Sequence, residues 1–351
     1  MKKLSIIITA VMSLLWHESN SQNLIAVQNG GAPAFFQQVD SAIVHSQNGD
    51  TIFIPGGRWN ISKPINKRLH IIGVGHNPDS TNATFSTTLI GALYLSAGAS
   101  HGTLTGVFLQ GSINGTNDTI HFYSISRCRI SSEIATYPLY TNFTFYENIL
   151  EGNIRSHENI GGSATNCSFF NNIFSAYFGD YNQLIPYVNS VFKNNIFLKA
   201  STYHYSSGFE WSVASQYSLF ENNIFLFTTL NFGKVSNSTA KNNLFTENIS
   251  FPVGTNVGSN NIVNQSSGSI FINMDSPASE FSYNNDYHLQ STCPGKNAGT
   301  DGTDVGIYGG LYPWKDGSIP YNPHFQTFQV GSTTNPAGSL DVNIKVSAQD
   351  R

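Results

Sequence analysis

The chain has 351 residues, 40 % of them hydrophobic and only 11 % charged, with a formal net charge of −4. Average proteins carry about 25 % charged residues, so this surface is built mainly from Asn, Ser, Thr, Gly and aromatic side chains, which suits neutral polar partners such as glycans. A slightly acidic balance without a basic cluster argues against DNA or RNA as partner.

Met1-Lys2-Lys3, the apolar run Leu4 to Trp16 and the polar stretch through Ser19-Asn20-Ser21 have the three regions of a secretory signal peptide, so residues 1–21 are expected to be a leader cleaved after Ser21. The apolar run is too short to span a membrane and no later run approaches the needed length. The expected protein is secreted, or sits in the periplasm or on the surface of a bacterium; the lysine pair favours that over an organelle. Residues 22–48 read as an N-terminal cap. Phe35, Phe36, Val39, Ile43 and Val44 recur at helical spacing within 32–45, and an amphipathic helix there would cover the open strand edges of the first coil. Three short strands separated by Gly and Pro turns come next, at Gly49 to Trp59, Ile61 to Ile65 and Leu69 to Gly75.

This opening, with its cap, the Gly49-Asp50-Thr51-Ile52-Phe53-Ile54-Pro55-Gly56-Gly57 turn, the Lys63-Pro64-Ile65 strand and the Ile71-Ile72-Gly73-Val74-Gly75 strand, resembles the pectin-lyase-like right-handed parallel β-helix superfamily. The resemblance covers about residues 30 to 310 and implies an all-β fold. A right-handed parallel β-helix, a solenoid of about eleven coils over 49–310 with an N-terminal capping helix, is the expectation. Coils continue through Thr88-Leu89-Ile90-Gly91, Leu104 to Phe108 and Ile125 to Ile130.

From there one phrase returns five times: Phe145-Tyr146-Glu147-Asn148-Ile149-Leu150, Phe169-Phe170-Asn171-Asn172-Ile173-Phe174, Phe192-Lys193-Asn194-Asn195-Ile196-Phe197, Phe220-Glu221-Asn222-Asn223-Ile224-Phe225 and Ala240-Lys241-Asn242-Asn243-Leu244-Phe245. A worn copy follows at Asn260-Asn261-Ile262-Val263, and the second asparagine recurs at intervals of 24, 23, 28, 20 and 18 residues. Repetition at this period means one solenoid coil per copy. The phrase reads as strand, corner, strand. Asparagine tolerates the left-handed backbone of a tight corner, and its amide can bond the same amide one coil away, ~4.8 Å distant. Phe169, Phe192 and Phe220 should stack inside. Of the final pair, such as Ile196 and Phe197, the phenylalanine is the expected inward residue. Lys193, Glu221 and Lys241 should form an exposed ladder of alternating charge, worth ~0 to 1 kcal/mol per pair.

Asn284 to Gly310 looks like the closing element of secreted β-helix proteins of the Bacteroidetes type, with its Asp and Gly residues read as turn chemistry. Residues 311–351 are the expected C-terminal region. Positions 312–335, rich in Pro, Gly and Thr, read as a wrapping linker, and Leu340, Val342, Ile344 and Val346 alternate as one strand. Cys128, Cys167 and Cys293 are too few for a disulfide framework and read as buried thiols.

The resemblance implies two chemistries: lyases with a basic Arg or Lys near calcium-binding carboxylates, and hydrolases with clustered aspartates. Between 100 and 270 the only aspartates are Asp118 and Asp180, so the hydrolase pattern is missing. The nearest lyase constellation has Arg127, Arg129 and Arg155 as catalytic candidates, with Glu133, Glu147, Glu151 and Glu158 as candidate ligands for Ca2+. No other cofactor is evident. The long intervals mark loops that hold Tyr177, Asp180, Tyr181, Tyr203, His204, Tyr205, Glu210 and Trp211. Aromatic faces stack on sugar rings and polar neighbours fix hydroxyls, so these are the candidate substrate-binding residues. The leading expectation is a monomer that binds a polysaccharide or cell-surface glycan. A calcium-dependent polysaccharide lyase and a passive structural or adhesive envelope protein are the alternatives.

Overall fold

At one corner seven pairs of strands are each joined by only two residues, and the first of the two is left-handed at each: Gly106, Arg127, Glu147, Asn171, Asn194, Asn222 and Asn242, with φ between 50° and 68°. Each such residue turns the chain at once and points away from the interior, so the second one, Val107, Cys128, Asn148, Asn172, Asn195, Asn223 or Asn243, turns inward and is buried. A second corner is built the same way. Phe122, Asn142, Asn166, Asn189, Tyr217 and Asn237 are left-handed, and Tyr123, Phe143, Cys167, Ser190, Ser218 and Ser238 behind them are buried. Two tight corners per coil make a parallel β-solenoid of about seven turns.

A computed structural model describes residues 24–81, 85–116, 118–135, 140–152, 154–155, 164–175, 187–198, 215–226, 235–275, 280–318, 324–334 and 337–347. Within them the long face of the solenoid is a twelve-stranded sheet, the second face a nine-stranded one and the short face a six-stranded one, with a further four-stranded sheet beside them. Register repeats coil by coil, as in Phe145 on Phe169, Phe192 and Phe220.

The coil count is lower than the eleven expected. Ile61 to Ile65 forms no strand beyond a single bridge from Ile65 to Leu95, and after Ile262 the chain leaves the stack. The expected helix over 32–45 is also shorter, Val39–His45, burying Val39, Ala42 and Ile43. Ala34–Phe36 is instead a strand, antiparallel to Ile25–Gln28, which pairs antiparallel with Thr51–Phe53. That ribbon, more than the helix, closes the long face's first edge. His324–Thr334, inside the stretch read as a linker, is a strand paired antiparallel with Leu340–Ser347.

Phenylalanine fills the solenoid. Phe145, Phe169, Phe192 and Phe220 stack at 4.7 to 4.8 Å between ring centroids, nearly parallel. Phe174, Phe197, Phe225 and Phe245 form a second stack at 4.5 to 4.8 Å. Each buried ring contributes ~1.5 to 3 kcal/mol by burial, and each stacked pair ~0.5 to 1.5 kcal/mol more. Phenylalanine is thus the inward residue of the final pair, as expected. Its neighbour is buried as well, for a separate reason: Ile173, Ile196, Ile224 and Leu244 point outward into a second cluster with Tyr287, Leu289, Cys293, Val305 and Ile307.

The C-terminal segment 293–310 therefore lies along the outside of the second face as a strap. The outward asparagine amides hold it. Asn242 donates to Ala298 O, Asn222 exchanges hydrogen bonds with Thr300, Asn194 donates to Gly306 O and Asn171 to Ile307 O and Gly309 O. Gly306, at φ 86°, passes so close that a Cβ there would sit 2.6 Å from Ile224 Cδ1. All three cysteines are free and buried, and burial pushes the Cys128 and Cys167 thiols up to about 12.

Candidate functional site

Where the strap ends, the chain opens a cleft of about 260 Å³ over Ile173, lined on its sides by Tyr283, Asp286, His288, Tyr308, Trp314 and Asp316. Its walls come from three pieces that the solenoid brings together. Asp286–Leu289 is a short strand paired with Phe271–Asn273, and its alternation buries Tyr287 and Leu289 while turning Asp286 and His288 outward. Tyr308 lies between Ile307 and Gly309, whose carbonyls Asn171 holds at the end of the asparagine column. Trp314 is held by its backbone N–H to Ile307 O at 2.7 Å, and Asp316 begins a 3-10 turn.

The polar groups are paired through the aromatic ones. The His288 ring stacks on Tyr308 at 3.6 Å, and its Nδ1 lies 2.7 Å from Asp286 Oδ1. The side chains of Asp286 and His288 are 42 % and 44 % exposed, so they reach solvent in the cleft. Burial opposes ionisation of Asp286, and hydrogen bonds from the backbone and ring of His288 overcome it, holding the carboxyl below its usual range. The Tyr308 hydroxyl donates to Asp316 Oδ1 at 2.9 Å. Burial first, and then the neighbouring Asp316, push the Tyr308 phenol well above its usual range, so it stays a neutral donor. The cleft thus presents two carboxylates, an imidazole, two phenols and an indole.

Behind Tyr283 lies a second polar group. Its hydroxyl donates to His76 O at 3.1 Å and therefore accepts from His76 Nδ1, 2.8 Å away, which fixes the tautomer. Burial, with Arg129 adding to it, pushes His76 down to about 3, so it is neutral. Arg129 makes a bidentate pair with Glu151 at 2.8 and 2.9 Å, and its guanidinium lies over the rings of Phe108, Tyr283 and Phe281 at 4.9 to 5.7 Å. Such a cation is held in place by its carboxylate and its aromatic cage.

The residues singled out from sequence fall in different places. Arg127 is completely buried at its corner and pairs with Glu147 at 2.9 Å, both in the column that holds asparagine in the later coils. Arg129 and Glu151 pair one row away, so these two arginines and two glutamates bind each other. Glu133 is partly buried near the four-stranded sheet, and Arg155 belongs to that sheet through its backbone pairing with Ala135. Among the described residues no three His, Cys, Asp or Glu side chains converge as cation ligands. Glu158, Tyr177, Asp180, Tyr181, Tyr203, His204, Tyr205, Glu210 and Trp211 lie outside the described residues. The cleft residues Asp286, His288, Tyr308, Trp314 and Asp316 escaped sequence reasoning. Their signal was the mixture of aromatic and acidic residues from 281 to 316, which turn chemistry alone does not require. No family model matches the chain, and no curated protein is significantly similar to it.

Proposed function

We propose that this β-solenoid is a secreted or surface protein that binds a neutral polysaccharide in the cleft at the end of the strap. One observation carries the reading: the Trp314 indole and the His288–Tyr308 stack share one open cleft with the carboxylates of Asp286 and Asp316. Flat rings take the apolar face of a sugar, and carboxylates accept from its hydroxyls, which is the pairing that glycan sites use. The charge at the cleft selects among glycans. Two carboxylates against one imidazole disfavour a polyuronate, whose own carboxylates would meet like charge. The leader expected at residues 1–21 and the low charge of the surface support an extracellular glycan as partner.

Affinity electrophoresis through gels holding neutral or uronic polysaccharides tests this. Wild-type protein is expected to be retarded by at least one neutral glycan and hardly by polyuronates, and Trp314→Ala to lose most of that retardation while keeping a cooperative melt, lowered only by the packing its partly buried ring gives up. Retardation by polyuronates alone, or retardation that Trp314→Ala leaves intact, contradicts it.

A further inference from the structure

The corner that leads into the long face is a column of seven left-handed residues, and four of them are asparagine: Asn142, Asn166, Asn189 and Asn237. Asparagine is the side chain that takes this backbone at least cost. His101 and Phe122 are two exceptions, and their rings stack on each other at 5.0 Å. Tyr217 is the third, at φ 51°, with 59 % of its surface exposed. Among the described residues its ring and hydroxyl make no hydrogen bond, ion pair or ring contact. A bulky, mostly exposed side chain in a strained conformation, with no ring or hydrogen-bond partner among the described residues, points to a role outside the fold.

The surroundings say what that role needs. Tyr217 stands in a cavity of about 370 Å³ lined also by Asn189, Val191, Leu219, Asn237 and Thr239. The strands around it are in register, with Val188, Gln216 and Ser236 as successive partners, so Asn189 and Asn237 sit one coil to either side of Tyr217. Both are exposed, and two coil spacings put them ~9.6 Å apart. Lys241 reaches the cavity, but its ammonium is held at 2.7 Å by Glu221. The cavity therefore offers one aromatic face, apolar Val191 and Leu219, and amides that both donate and accept.

We propose that Tyr217 is a second glycan platform, stacking one neutral pyranose ring while the Asn189 and Asn237 amides bind hydroxyls on either side. The ligand class rests on the reading above; the site stands on its own observations, on a different corner of the solenoid from the cleft. The test substitutes the residue that the column itself prefers. Tyr217→Asn is expected to raise the melting temperature, because the strain is relieved, and to weaken retardation by neutral glycan about fivefold or more, because the ring is gone. Tyr217→Phe keeps the ring and should keep most of the retardation. A lower melting temperature for Tyr217→Asn would show that the ring serves packing and overturns the proposal, as does unchanged retardation. Running Trp314→Ala beside it separates the two sites. Loss in Trp314→Ala alone overturns the platform and keeps the cleft, loss in Tyr217→Asn alone does the reverse, and wild-type protein retarded by no neutral glycan overturns both.

Discussion

Asn194 and Asn195 are adjacent, identical in type and opposite in duty. Asn195 faces inward, and its amide is saturated: Nδ2 donates to Asn223 Oδ1 at 3.0 Å and to Phe169 O at 2.9 Å, while Oδ1 accepts from the backbone N–H and the amide of Asn172. Removing it leaves the Asn172 N–H without its partner and takes one hydrogen bond each from the Asn172 amide, Asn223 Oδ1 and Phe169 O, all of them buried. Asn195→Ala should cost about 3 kcal/mol or more, since each unsatisfied buried polar group costs ~1 to 3 kcal/mol. Asn194 faces outward at φ 57° and holds the strap through Gly306 O at 3.2 Å. Asn194→Ala loses that bond and adds left-handed strain of ~1 to 2 kcal/mol, whereas Asn194→Gly loses the bond alone. Urea melts are expected to rank the stabilities Asn194→Gly, then Asn194→Ala, then Asn195→Ala; Asn195→Ala as the mildest of the three would refute the division of duty. The asparagine pair announced a corner and a ladder in the sequence. That two asparagines would split those roles was not legible, because both properties belong to the same residue type. The serine ladder at the other corner, where Ser190, Ser218 and Ser238 accept the backbone N–H of the preceding coil, was hidden by the commonness of serine.

At the scale of elements, the strap explains what the repeat alone left open. A coil with Ile and Phe side by side has two apolar faces, and each needs a cover: the Phe column has the solenoid interior and the Ile column has residues 287–307. The partner of the Ile column lies tens of residues away in sequence with no period of its own, so pattern reading could not find it. The strap also changes the charge ladder, which the sequence placed on an exposed face. Glu221 is buried instead. It accepts from Lys193 at 2.8 Å, Lys241 at 2.7 Å and the Thr300 hydroxyl of the strap. Burial opposes its ionisation, and these three donors outweigh it, so the carboxyl is held down at about 2. A carboxyl depressed in the folded state adds stability that is complete above its unfolded pKa, about 4.5, and is lost as pH falls toward about 2. Glu221→Gln should therefore be less stable than wild type at neutral pH and lose less stability between about pH 5 and pH 2. Parallel pH profiles for the two proteins would contradict the strap's electrostatic anchor.

Across the whole molecule, the repeats dictate a stiff rod whose interior is identical rings and amides, and such a rod carries its variety on its surface. The fold was readable because every coil repeats the same solution. The cleft was not, because Asp286, His288, Tyr308, Trp314 and Asp316 share no spacing and meet only once the strap has run back along the second face. The central claim is that this meeting place binds a neutral glycan, and Trp314 is a reporter already in position. Among the described residues it is the tryptophan that lines the cleft. Titrating the protein with neutral oligosaccharides and following tryptophan fluorescence, for wild type and for Trp314→Phe, tests it most directly. A saturable change in wild type that disappears in Trp314→Phe is the predicted result. A change of equal size in both proteins, or none in wild type at millimolar sugar, contradicts the account.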